Sequence, residues 1–192
     1  QGNAAVFFSA TLLPVNYYKE LLTGNREEYA VYASSPFPRE NRLLIIGADV
    51  SSRYTRRNLR EYGRIAEYIE KIVMGRAGNY MVFFPSYQYM EQVAGVLEER
   101  NVPFQWICQK SHMGEREREE FLARFEERRD VPFAALCVLG GLFSEGIDLK
   151  EERLIGAVIV GTGLPQVNVE QEILKGYFDG EEHRGFDFAY QY

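Results

Sequence analysis

Only two cysteines and two histidines occur in the 192 residues, too few ligands for a zinc-finger framework or an iron–sulfur cluster. Both cysteines, Cys108 and Cys137, lie inside apolar runs (Trp106-Ile107-Cys108 and Ala135-Leu136-Cys137-Val138), the setting of buried free thiols in a reducing compartment. Positive charge is also scarce. Lys plus Arg number 22 against 28 Asp plus Glu, a net charge of −6, so the surface as a whole does not attract nucleic acid and any polyanion site has to be local. No apolar run approaches the length of a membrane span, and the longest, near Phe133 to Phe143, is broken by Gly140-Gly141. There is no signal-peptide pattern, no internal repeat and no low-complexity tract. The first residues, Gln1-Gly2-Asn3, carry no initiator Met and lead directly into the apolar run Ala4 to Phe8, so the expectation is a chain that starts inside a longer protein. What is present is 46% hydrophobic, 26% charged and 14% aromatic, the composition of an ordered domain and not of a disordered, collagen-like or coiled-coil chain. The length suits one large domain or two small ones.

Apolar strand-like runs alternate with helical patterns, the sign of a parallel sheet covered by helices. Asn79 to Phe84 is a continuous apolar, aromatic and β-branched run ended by Pro85-Ser86, which predicts a buried strand and a helix N-cap at Ser86. Met90, Val93, Ala94 and Leu97 continue at helical spacing until Asn101-Val102-Pro103 stops them. Phe104 to Cys108, Phe133 to Leu139 and Leu154 to Val160 read as further strands, and Arg42 to Ile46 as a strand candidate upstream. Helices are expected across Asn58 to Met74, after Gly114 towards Phe121 and Phe125, and across Asn168 to Phe178, with Asp179 to Gly185 as an exposed polar loop. In such open α/β sheets ligands lie at the carboxyl ends of the strands.

The densest special segment sits at such an end. Leu139 to Leu149 holds three glycines in seven residues, Gly140, Gly141 and Gly146, together with Ser144, Glu145 and Asp148. Backbone amides exposed by glycine can approach phosphate or ribose, and the hydroxyl and carboxylates suit sugar hydroxyls or a metal-bound water; a tight connection with an incidental acidic surface is the plain alternative.

Gly140 with Ser144-Glu145-Gly146-Ile147-Asp148 resembles motif V of the DinG/XPD-like branch of superfamily 2 DNA helicases. Phe8-Ser9-Ala10-Thr11-Leu12 resembles motif III, Phe83-Phe84-Pro85-Ser86-Tyr87 resembles motif IV, and Ser35-Pro36-Phe37, Glu40-Asn41-Arg42 and Ser52-Arg53-Tyr54 resemble the connecting stretch of the same branch. The resemblance implies an α/β, RecA-like three-layer sandwich with a mainly parallel sheet. Residues 1–30 would be the end of a first motor domain with a connecting segment, and 31–192 the second motor domain, incomplete at its C-terminus. It further implies half of an ATP-driven engine that translocates on single-stranded DNA and unwinds duplex in repair or replication, in the cytoplasm and away from membranes.

Its partners would be single-stranded DNA and the first motor domain. No Gly-x-x-x-x-Gly-Lys-Ser/Thr loop, Asp-Glu-x-His box or Gln-x-x-Gly-Arg-x-x-Arg element occurs in these residues, although Phe186 to Tyr192 resembles the run into motif VI. ATP and Mg²⁺ are therefore expected in the parent protein only, an iron–sulfur cluster only in the missing first domain, and no catalytic residue, metal site or ATPase activity in the chain alone.

By resemblance, Gly140, Glu145, Gly146 and Asp148 would face the nucleotide cleft, Ser86, Tyr87 and Ser144 the single strand, and Ser9 and Thr11 would couple the motor domains. Ser86 serves equally as a pure N-cap, and Tyr87 and Tyr89 divide between a stacking face and packing beneath the sheet. Arg53, Arg56, Arg57 and Arg60 around Tyr54 form the most basic patch, with Arg53 and Arg57 as candidate phosphate contacts and a solvated charged face as the alternative.

Three other classes remain weaker. A serine hydrolase through Ser144, His183 and Asp187 lacks the elbow glycine, because Leu142 stands there. A dinucleotide turn at Gly161-Thr162-Gly163 has Gln166 in place of the third glycine. A non-catalytic RecA-like interaction module would use exposed Tyr177, Phe186 and Phe188.

Overall fold

The computed structural model describes residues 4–9, 12–126, 130–144, 147–163, 168–182 and 185–190. Its regular elements in chain order are α1 (Val15–Thr23), α2 (Leu59–Met74), β1 (Asn79–Phe84), α3 (Tyr87–Glu99), β2 (Gln105–Cys108), α4 (Glu115–Ala123), β3 (Phe133–Val138), β4 (Gly156–Ile159), α5 (Val169–Glu182) and α6 (Gly185–Tyr190), with single 3₁₀ turns at Arg39–Asn41, Tyr54–Arg56 and Glu151–Arg153. The chain divides into two compact units, one of Gln1–Leu44 with Pro165–Tyr192 and one of Ile45–Leu164.

The unit Ile45–Leu164 holds a four-stranded parallel sheet in the order β2-β3-β1-β4. Alternation along the inner strands assigns each side chain to a layer. Tyr80, Val82 and Phe84 of β1 and Ala134, Leu136 and Val138 of β3 pack with Ile65, Ala66, Ile69 and Val73 of α2 and Tyr89, Met90, Val93 and Leu97 of α3. The intervening residues Met81, Phe133, Ala135 and Cys137 pack on the other face with Phe121 of α4, Phe125 and Phe143. Helices therefore cover both faces, the three-layer α/β arrangement expected of a RecA-like domain. Every residue of β3 is buried, as a central parallel strand requires.

The cap expected at Ser86 is present, and Asn58 supplies a second. Asn58 accepts a hydrogen bond from the Glu61 amide at the start of α2, and Ser86 accepts one from the Tyr89 amide at the start of α3. Strand and helix ends otherwise fall within two residues of the expected positions, the ordinary uncertainty of fraying termini.

Two expectations are corrected. Arg42 to Ile46 forms no strand: it has no regular structure, and Leu43 and Ile46 are 85% and 81% exposed. Apolar composition favours a strand only where a neighbouring strand pairs its amides and carbonyls, and among the described residues no strand pairs with this run. Asp179 to Glu182, expected in a loop, continues α5, and Gly185 begins α6. The glycine at 180 costs a helix only about 1 kcal/mol, which the flanking helix formers offset, and the Asp179 carboxylate accepts the Gly185 amide at 2.8 Å. His183 and Arg184 lie outside the described residues.

In the unit Gln1–Leu44 with Pro165–Tyr192, α5 and α6 pack on each other, and the Tyr190 hydroxyl donates to Glu172 at 2.7 Å. Helix α1 ends at Gly24, whose φ of 69° is the left-handed C-cap conformation.

Candidate nucleic-acid and nucleotide interface

Three strand exits of the sheet meet at its carboxyl edge. The Leu139 amide donates to the Phe84 carbonyl at 2.8 Å, joining the exits of β3 and β1, and the Gln109 amide donates to the Leu136 carbonyl at 2.8 Å, joining β2 to β3. The edge therefore carries the first turn of α3, beginning Ser86-Tyr87, next to the loop that starts at Gly140.

Ser86 is half-buried and its oxygen is the N-cap acceptor for Tyr89 at 3.3 Å, while its carbonyl accepts the Met90 amide at 3.0 Å. The amides of Tyr87 and Gln88 then remain as first-turn donors at the positive end of the helix dipole. Capping and anion contact are compatible here, since a hydroxyl that accepts from an amide retains its own proton to donate. Ser144 differs: its hydroxyl donates to the Val138 carbonyl at 3.1 Å and its amide to the Gly141 carbonyl at 3.0 Å. That side chain braces the loop, and the hydroxyl proton is directed at a carbonyl and not at a base of the kind a hydrolase needs.

Glycine is required twice in this loop, for different reasons. Gly140 has φ 69°, a left-handed conformation, and open space around the position of a Cβ. A Cβ at Gly141 would stand 2.9 Å from the Val138 carbonyl oxygen and 3.0 Å from Gln109 Nε2. Asp148, beyond the loop, is exposed and paired with Lys150 at 3.1 Å. Glu145 and Gly146, expected between them, lie outside the described residues, as does Thr11. Ser9 is exposed in the other compact unit.

Tyr87 and Tyr89 take different roles. Tyr89 is 1% exposed and packs against Phe84 and Tyr62, whereas Tyr87 is half-buried and its hydroxyl donates to the Lys110 carbonyl at 3.3 Å. Burial pushes the Tyr87 phenol above its ordinary pKa of 10.0, so it remains a neutral hydroxyl.

The basic patch is not uniform. The Arg57 guanidinium lies 4.3 Å from the centroid of the Tyr89 ring and 5.4 Å from that of Tyr54, and its Nε donates to the Ser52 carbonyl at 3.3 Å. It is therefore packed at the start of α3 and is not part of a solvated face. Arg56 pairs with Glu61 at 3.5 Å, and Arg53 and Arg60 are exposed. Ser52 also approaches the β4 exit, where a Cβ at Gly161 would meet its Oγ at 2.7 Å. The glycine there makes room for Ser52, which accounts for it without a dinucleotide turn.

Two residues that the sequence did not single out organise this edge. Glu61, 4% exposed, accepts the Ser51 amide at 2.9 Å and faces Arg56 and Arg64, tying the basic segment to α2. Its place three residues after the Asn58 cap was the available signal, although its carboxylate reaches Ser51 and not the cap amide. Gln109, 2% exposed, uses both ends of its carboxamide: Oε1 accepts the Val138 amide at 3.0 Å and Nε2 donates to the Tyr87 hydroxyl at 2.8 Å. Only its position as the first polar residue after a strand pointed to it.

The parallel sheet and the helix layers on both its faces define an α/β domain of RecA-like fold. The helicase C-terminal domain family matches residues 69–192, and the chain belongs to that family. It is 25% identical over 187 residues to the probable ATP-dependent helicase MJ0942 of Methanocaldococcus jannaschii, covering 92% of this chain and 28% of that protein. Among solved structures it is similar to one titled XPD helicase, with a TM-score of 0.59 and 23% identity over 76% of this chain and 25% of that one. A second, titled XPD apo, gives a TM-score of 0.58 and 22% identity over 74% and 28% of the two chains. These structures share the fold, as the resemblance to the DinG/XPD-like branch implied. The chain thus spans under a third of the length of the relatives it matches.

Proposed function

We propose that the chain is the second motor domain of an ATP-dependent DNA helicase that translocates on single-stranded DNA and unwinds duplex, in the service of DNA repair or replication. The observation that carries this reading is the meeting of the motif IV-like turn Ser86-Tyr87 and the motif V-like loop Gly140 to Ser144 on adjacent strand exits, joined by the bond from Leu139 to Phe84. Open helix amides and a half-buried tyrosine on one side, and a glycine-rich loop on the other, suit a phosphodiester backbone with a stacked base. Arg53 adds an exposed cation near this edge, and Arg57 fixes the orientation of the helix start.

ATP fits the edge only in part. Gly140 leaves open space for close approach, and Asp148, exposed and paired with Lys150, would turn to ribose or to a partner domain, whereas the Lys-bearing loop that holds phosphates and Mg²⁺ is not in these residues. ATP hydrolysis would supply the free energy for translocation. Gly140 and Asp148, with Glu145 and Gly146, would complete the cleft against a first motor domain, and Ser9 and Thr11 would couple the two. The chain by itself turns over no ATP on this reading.

The test is titration of a fluorescent dT oligomer at several salt concentrations. The chain should bind weakly, with affinity falling as salt rises, and Arg53→Glu should reduce the affinity and lower the salt slope by about one. Absence of binding at low salt would overturn the reading. In the intact helicase, Asp148→Ala should slow ATP turnover with the fold retained.

A further inference from the structure

The hydrogen bonds around Gln109 have a defined direction. The Val138 amide can only donate, so the carboxamide oxygen of Gln109 faces it, at 3.0 Å. The carboxamide nitrogen must then donate to the Tyr87 hydroxyl, at 2.8 Å, and that hydroxyl turns its own proton to the Lys110 carbonyl, at 3.3 Å. The side chain is buried, with both polar atoms satisfied. It touches the turn that opens α3 at one end and the root of the glycine-rich loop at the other, and it lies directly beneath Gly141. The carboxamide oxygen satisfies the buried Val138 amide at the end of β3, and its nitrogen adds a second bond that reaches Tyr87.

We infer that Gln109 is a positioning residue that holds the Tyr87 turn and the Gly140 to Ser144 loop in one shared geometry, so that occupancy of the strand-facing turn is felt at the nucleotide-facing loop. The inference rests on the reading of this edge as the single-strand path, but the mechanical link itself is independent of that reading. Gln109 acts through its neighbours and has no contact of its own with DNA or nucleotide.

Three substitutions separate the link from simple packing. Tyr87→Phe keeps the ring and removes only the hydroxyl, Gln109→Met keeps the length and removes both bonds, and Gln109→Glu restores both. A glutamate oxygen still accepts from Val138, and Tyr87 can turn its proton from Lys110 towards the other oxygen. The first measurement is the amide resonances of Gly141 and Ser144 in nuclear magnetic resonance spectra of the chain. Tyr87→Phe, although it removes no bond made by the loop, should shift both, and unshifted resonances would overturn the inference.

The second measurement is dT-oligomer affinity. Gln109→Met and Tyr87→Phe should each weaken binding by about tenfold, the double variant should be no weaker than the weaker single, and Gln109→Glu should return to within about threefold of the unaltered chain. Multiplying losses in the double variant, or wild-type affinity in Gln109→Met, would overturn it. Should the unaltered chain fail to bind dT at all, the helicase reading falls, and the resonances alone decide the role of Gln109.

Discussion

Phe133 to Val138 and Arg42 to Ile46 are both short, apolar and suited to a strand, yet one is fully buried and paired on two sides while the other is exposed and unpaired. The difference lies in what surrounds them. β3 has a strand on each flank, helix α3 on one face and α4 with Phe125 and Phe143 on the other. For Arg42 to Ile46 none of these partners exists among the described residues. Hydrophobicity sets how much free energy burial could yield, but pairing decides whether a segment collects it.

Thiol reactivity reports on how tightly β3 is closed. Burial pushes the Cys137 thiol up to about 12 and Cys108 up to about 11, so neither is a thiolate near neutral pH in the folded sheet. Labelling with a disulfide reagent at pH 8 should be slower for both than in the denatured chain, by more than about a thousandfold for Cys137. Rapid labelling of Cys137 would mean that β3 is not the closed strand described.

Truncation tests the energetic side. Phe84→Ala, at a fully buried site of β1, should cost about 3–5 kcal/mol, read from urea unfolding. Leu44→Ala, 74% exposed, should stay within about 0.5 kcal/mol. Equal costs would show that the Arg42 to Ile46 segment is packed in solution, and the contrast with β3 would disappear.

The smallest effect concerns the link from the basic segment to α2. Hydrogen bonds from the Tyr68 hydroxyl and then Arg64 hold the exposed Asp49 carboxyl below its ordinary value of 3.8. A depressed folded pKa stabilises above the unfolded value, and that contribution is lost as pH falls through the folded one. Asp49→Asn should therefore be slightly less stable at neutral pH, and acid unfolding monitored below about pH 4 should lose a small component of its pH dependence as the two chains converge. An unchanged acid limb would show that the pair does not persist in solution.

Much of the fold was legible because its signals are local. The apolar runs of β1 and β3, the Ser86 cap and the Pro and Gly punctuation each act within a few residues, so the sequence displays them directly. The Arg42 to Ile46 run misled because pairing is a property of distant neighbours. The α5 extension was hidden by Gly180 among charged residues, where turn composition and helix composition overlap.

At the candidate site, the glycine-rich loop and the Ser86 turn were visible as motifs, and the structure brings Ser86, Tyr87, Gly140 and Ser144 to one edge with Arg57 packed at the start of the same helix. The residues that hold them together were not visible. Gln109 and Glu61 act by bonds to backbone groups 29 and 10 residues away, and no spacing rule reports such pairs. Arg57 illustrates the same limit: its charge suggested solvent or phosphate, and its tyrosine neighbours became apparent only in three dimensions.

The strand order has a consequence for how the chain is made. β1 and β2 leave the ribosome first, yet they are not neighbours, because β3 lies between them. During synthesis the two early strands have no common partner until residue 138 has emerged, although α2 and α3 can already pack on each other and on β1. Entry of β3 is then an insertion between two strands already made, and β4 completes the sheet afterwards by addition at the free edge of β1.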